Sequence, residues 1–134
     1  MTPVFADASY YVALLNPRDQ HHQDAVQVSG QLRQPVVVTE FVLIEVSNAL
    51  APVGSRARAV QLWAHLQNDP SVTVVPASTA LITKGLDLYA HRPDKEWSLT
   101  DCISFVVMQE RGLTEALTAD HHFEQAGFTT LFLP

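Results

Sequence analysis

"PVVVTEFVLIEVSNAL", running from Pro35 to Leu50, changes character at its middle. Val36 to Thr39 are all β-branched and follow a proline, which is the composition of a short strand. From Glu40 to Leu50 the chain reads as a helix, stopped by Pro52. A strand that feeds straight into a helix, with no hairpin turn between them, is half of a strand–helix–strand unit. The fold class therefore depends on whether the same unit recurs on either side.

It does. Upstream, "PVFA" (Pro3–Ala6) predicts a buried strand and Ser9–Asn16 a helix broken by Pro17; Arg18–Leu32 is a more polar, amphipathic helix. Downstream, Ser55–Asp69 opens on a capping serine and spaces Ala59, Leu62, Trp63 and Leu66 as a helix does. Ser71–Val75 predicts a strand before Pro76, and Ser78–His91 a helix. After the loop Arg92–Trp97 comes a mostly apolar helix, Ser98–Gly112. Glu115–Ala119 and Thr129–Leu133 are the last expected strands, with a short helix His121–Gly127 between them. Near-continuous apolar strands alternating with helices imply an α/β fold: a three-layer α/β/α sandwich around a mostly parallel sheet of about five strands. Ligands in such folds bind outside the carboxyl ends of the strands, where the strand order reverses.

The 134 residues suit one domain, spanning residues 1–134, with 47% hydrophobic and 16% charged residues. No apolar run approaches the roughly 20 residues that span a bilayer. The start "MTPVFADASYY" lacks a basic segment followed by a long apolar one. With Cys102 the lone cysteine, a reducing cytoplasm is the expected compartment. The formal net charge is −6, the wrong sign for holding nucleic acid by bulk electrostatics. A polyanionic substrate would need positive charge supplied locally, and a bound divalent metal is one source.

Four acids stand where such a fold places its ligands. Asp7 and Asp120 directly follow expected strands, and each also suits a helix N-cap. Asp101 closes a Ser98-x-x-Asp101 capping box in a first helical turn, where the macrodipole favours a carboxylate. Glu45 is flanked by Phe41, Val42, Leu43, Ile44 and Val46, with no Lys or Arg within two turns. A buried carboxylate there requires a partner, a proton or a cation; the plain alternative is a narrow solvent face with Glu40, Ser47 and Asn48. Four carboxylates meeting in one cleft could not all stay ionised without a metal. Oxygen ligands suit the hard ions Mg²⁺ or Mn²⁺.

"VFADASYYVALLN", "TEFVLIEVSNAL", "WSLTDCISFVVM" and "ALTADHHFEQAGF" resemble, in order and spacing, the motifs of PIN-domain ribonucleases, among which VapC-type toxins of toxin–antitoxin modules are common. The resemblance implies a metal-dependent endoribonuclease that leaves a 5′-phosphate, and a metal pocket made of Asp7, Glu45, Asp101 and Asp120. Ser9 and Thr118 match small hydroxyl positions beside the first and last acids. On that basis one or two Mg²⁺ (or Mn²⁺) ions bind Asp7, Asp101 and Asp120, and Glu45 binds the metal or orients its water. Ser9 or Thr118 would hold a water or the phosphate. The resemblance also implies an RNA substrate, an antitoxin partner and a homodimer. An RNA-processing PIN nuclease and a non-catalytic binding module are the other readings.

Other residues carry less. His21–His22 and His121–His122 are expected at the surface, His121 near the rim of the site, because no further ligand completes a zinc set. Cys102 lacks a partnered base and reads as packing. Asp94 reads as a solvated loop acid. Arg56, Arg58, Arg92 and Lys95 either meet RNA phosphates or solvate helix and loop ends. A receiver domain would need adjacent acids and a late lysine, and a haloacid-dehalogenase-type phosphatase would need an aspartate at position 9; Asp7 has no acidic neighbour, "EALTA" has no lysine, and position 9 is serine.

Overall fold

The computed structural model describes residues 1–52 and 54–132. Among them lie five strands and seven helices in the order β1 (Val4–Ala6), α1 (Ala8–Leu15), α2 (His22–Gln31), β2 (Val36–Thr39), α3 (Glu40–Ala49), α4 (Arg56–Asn68), β3 (Val72–Val75), α5 (Thr79–His91), α6 (Leu99–Glu110), β4 (Glu115–Leu117), α7 (His121–Gln125) and β5 (Thr129–Thr130). All strand pairs are parallel, and the sheet order is β3-β2-β1-β4-β5. Helices cover the sheet in an α/β/α sandwich. The opening stretch behaves as read: Thr39 ends β2 and its hydroxyl accepts the Val42 N–H at 3.1 Å, so the last strand residue is also the cap of α3.

Three expected elements are clearly shorter than their sequence suggested. β4, expected from Glu115 to Ala119, ends at Leu117, where the Thr118 hydroxyl turns to Asp7 and accepts the Asp120 N–H. The helix expected from Arg18 begins at His22, because the Asp19 carboxylate accepts the His21 N–H at 2.8 Å and makes a turn of the preceding residues. The last strand was expected to run to Leu133; its ladder ends at Thr130, and Leu133 lies outside the described residues.

The chain runs outward from β1 to β3, then returns to lay β4 on the other side of β1. The order therefore reverses between β1 and β4, and the crevice at their carboxyl ends is where this topology puts a site. The floor beneath it is aromatic. Phe5 of β1, Phe105 of α6 and Phe123 of α7 are fully buried, with Phe105 and Phe123 edge-to-face at 4.9 Å and Phe5 stacked 6.2 Å from Phe123. Rings packed at these distances fix three elements relative to one another. Helices α5 and α6 pack closely because Gly85 lies against Ile103, where a β-carbon would collide with the isoleucine side chain.

Candidate active site

Strand β1 is completely buried, and the Asp7 N–H extends its ladder by donating to the Leu117 carbonyl at 3.0 Å. Asp7 occupies the cap position of α1, yet its side chain makes no cap hydrogen bond. Its Oδ2 instead accepts from Ser9 Oγ at 2.8 Å and Thr118 Oγ1 at 2.9 Å. Those hydroxyls lie 3.1 Å apart, and each accepts a main-chain N–H in turn: Ala119 onto Ser9 at 3.0 Å, Asp120 onto Thr118 at 2.9 Å. One carboxylate thus joins the ends of β1 and β4. Thr118 is fully buried, so Thr118→Val keeps the volume, removes one of the two hydroxyl donors to the Asp7 oxygen and orphans the Asp120 N–H. We expect this substitution to cost about 2 kcal/mol in urea denaturation; a loss within error of zero would show that the bridge contributes nothing.

On α6 the capping box is complete: Ser98 Oγ accepts from the Asp101 N–H at 3.0 Å, and Asp101 Oδ2 accepts from the Ser98 N–H at 3.1 Å. The box aims the buried carboxylate at α7. There Asp120 caps the helix, its Oδ1 accepting the His122 N–H at 2.9 Å. His122 Nδ1 lies 2.9 Å from Asp101 Oδ2 and 3.3 Å from Asp120 Oδ1. Donor atoms of Asp101, Asp120 and His122 all fall within 4.8 Å of one another, so these three side chains could hold a metal ion.

Glu45 approaches from α3. Val42, Leu43 and Val46 turn into the core, while Ile44, Glu45 and Asn48 reach solvent. The carboxylate is therefore not enclosed among apolar neighbours as the sequence suggested. Its carboxyl is nevertheless pushed up to about 7, first by partial desolvation and then by the charges of Asp7, Asp101 and Asp120. Asp7, only 4% exposed, is pushed up to about 6, chiefly by burial, with Asp101 adding repulsion and the Ser9 and Thr118 hydroxyls opposing it. Burial also raises Asp101, against the Ser98 N–H and His122, which favour its ionised form. The four acids thus act on one another across the crevice. Among the described residues no Lys or Arg forms an ion pair with any of them. A carboxylate-rich, cation-free donor set of this kind fits a hard divalent ion.

His122 corrects the reading of the histidines as surface residues. Its side chain is 28% exposed and contacts two of the acids, whereas His121, the one expected near the rim, is 73% exposed and pairs with Glu124. Consecutive helical residues point about 100° apart, and it is the second of the pair that faces inward. His22 bonds through Nδ1 to the Ala13 carbonyl at 2.7 Å, and His21 packs edge-on to Phe132. Cys102 is fully buried, and burial raises its thiol, the reverse of what a nucleophile needs. Arg56 and Arg58 donate to the carbonyls of Ala51 and Leu15, at helix ends. Asp94 pairs in bidentate fashion with Arg92, whose guanidinium lies over the Trp97 ring at 4.9 Å.

Residues 4–129 match the model of the PIN domain. The chain belongs to the PIN-domain family. This PIN domain is 27% identical, over 125 residues, to the 23S rRNA-specific endonuclease VapC20 of Mycobacterium tuberculosis, covering 93% of this chain and 95% of that protein. The crystal structure of VapC20, a Sarcin-Ricin loop cleaving toxin, superposes with a TM-score of 0.86 at 26% identity over 94% of this chain and 96% of that one. FitAcB from Neisseria gonorrhoeae superposes with a TM-score of 0.66 at 17% identity, over 96% of each chain. VapBC2 from Rickettsia felis, bound to a DNA fragment from its promoter, gives the same TM-score at 9% identity, over 97% of this chain and 98% of that one. At those identities the likeness concerns the fold alone. No helix in the described part of this PIN domain is long and apolar enough to cross a membrane.

Proposed function

We propose that the protein is a metal-dependent endoribonuclease acting as the toxin of a toxin–antitoxin pair, with residues 1–134 forming one PIN unit. The observation that carries the reading is the carboxylate cluster at the β1/β4 switch point, which no Lys or Arg pairs among the described residues. The likeness to VapC20 over nearly the whole chain supports RNA as substrate, with ribosomal RNA the first class to test, and a cognate antitoxin as partner. A homodimer remains part of the same proposal, as does action in the cytoplasm.

In this reading Asp7, Asp101 and Asp120, with Glu45, would hold Mg²⁺ or Mn²⁺. When bound, the cation supplies charge neutralisation at the scissile phosphate and lowers the pKa of an attacking water. Asp101 keeps its orientation through the capping box, so it need not reorganise as charge develops. Glu45 stands at the open side of the crevice, where its carboxylate would accept the proton of the attacking water. The Ser9 and Thr118 hydroxyls hold Asp7 in place, and in-line displacement leaves a 5′-phosphate on the downstream fragment. The test is to induce the protein in cells and sequence 5′-phosphate RNA ends, wild type against Asp7→Asn. New ends should appear with the wild type alone; an identical end profile for both favours a non-catalytic binding module.

A further inference from the structure

We propose that His122 is a nitrogen ligand to the metal held by Asp101 and Asp120, and that it tilts this site toward Mn²⁺ over Mg²⁺. The proposal rests on the metal-dependent nuclease reading and adds a donor that the acids alone do not supply. Metal–ligand bonds of about 2.1 Å at right angles put neighbouring donor atoms about 3.0 Å apart. His122 Nδ1 stands 2.9 Å from one carboxylate oxygen and 3.3 Å from the other, the spacing of adjacent corners of an octahedron.

The ring is held there by its surroundings. Its own N–H donates to Asp120 Oδ1 at 2.9 Å, so main chain and imidazole approach the same carboxylate. The next residue, Phe123, is fully buried between Phe5 and Phe105, and Gln125 accepts from Trp97 Nε1 at 3.1 Å. Helix α7 therefore cannot carry the ring away without opening the aromatic floor. In the metal-free molecule the nitrogen facing two carboxylates must donate, which puts the proton on Nδ1. A cation arriving at that point replaces this proton, and the neutral ring keeps it on Nε2, which has no hydrogen-bond partner among the described residues. Mg²⁺ takes oxygen ligands and keeps its waters, whereas first-row transition ions accept imidazole. Losing His122 should therefore cost the two ions unequally.

The experiment is pulsed electron paramagnetic resonance of the wild-type protein loaded with Mn²⁺, alongside calorimetric titration of Mn²⁺ and Mg²⁺ into wild type, His122→Ala and His122→Gln. The wild-type spectrum should show modulation from an imidazole nitrogen, absent from both variants. Mn²⁺ affinity should fall about tenfold or more in the variants while Mg²⁺ affinity stays within about threefold. A wild-type spectrum without nitrogen modulation, or an equal loss for both ions, overturns the assignment of His122. If that happens in a protein that still cuts RNA, the nuclease reading survives. If Mn²⁺ does not bind the wild type at all, both readings fall.

Discussion

Asp101→Asn should lower metal-dependent RNA cleavage about a thousandfold, corresponding to ~4 kcal/mol of transition-state stabilisation, and should leave the fold intact. The two effects separate because Asp101 has two tasks. As the third residue of its helix it accepts the Ser98 N–H, and an amide oxygen performs that task equally well. As a buried acid aimed at Asp120 and His122 it contributes negative charge, and an amide cannot. Since burial already disfavours the ionised form, removing the charge should leave the melting temperature at pH 8 unchanged or slightly higher. A variant that retains more than a tenth of wild-type kcat/KM would place the metal elsewhere. Unfolding of the variant would assign Asp101 a mainly structural part.

The second large effect concerns stability. Without metal, the protein should become less stable as pH rises from about 4 to 7. The Asp7 carboxyl titrates at about 6 in the fold and near 3.9 in the unfolded chain. Between those values the folded state keeps a proton that the unfolded state has released. This contribution is complete below the unfolded value and is lost as pH climbs through about 6. Two units are worth about 3 kcal/mol, or ~10 °C in melting temperature for a chain of this size. Glu45, raised to about 7, extends the loss toward neutral pH, although its exposure reduces its share. Saturating Mn²⁺ should flatten the profile, because a cation stabilises the ionised carboxylates. Melting curves at pH 4 and 8, in chelator and in Mn²⁺, decide the matter; a flat metal-free profile would mean that burial does not hold the Asp7 proton as described.

Much of this architecture is visible in local chemistry. The strands β1, β2 and β3 stand out because short β-branched or apolar runs abut Pro3, Pro35 and Pro76. The capping box could be read directly, since it needs only Ser98 and Asp101 three residues apart. What local sequence could not provide was direction. Glu45 among apolar neighbours looks buried until the helix is rotated against the sheet, which sends Val42, Leu43 and Val46 inward and leaves the acid at an open rim. The same limit hid His122: two adjacent histidines look equivalent, and only the packing of Phe123 selects which one turns in. The bridging role of Ser9 and Thr118 depends on contacts across more than a hundred residues, which no local pattern encodes.

That long span bears on how the protein is made. β4 settles beside β1 only after more than a hundred further residues have been made, because the Asp7 bridge needs Thr118, and the proposed ligand His122 comes later still. A nascent chain emerging from the ribosome carries Asp7 and Glu45 long before there is any pocket to put them in. If the finished molecule cuts ribosomal RNA, the machine that builds it is safe from each copy until that copy's β4 and α7 have emerged.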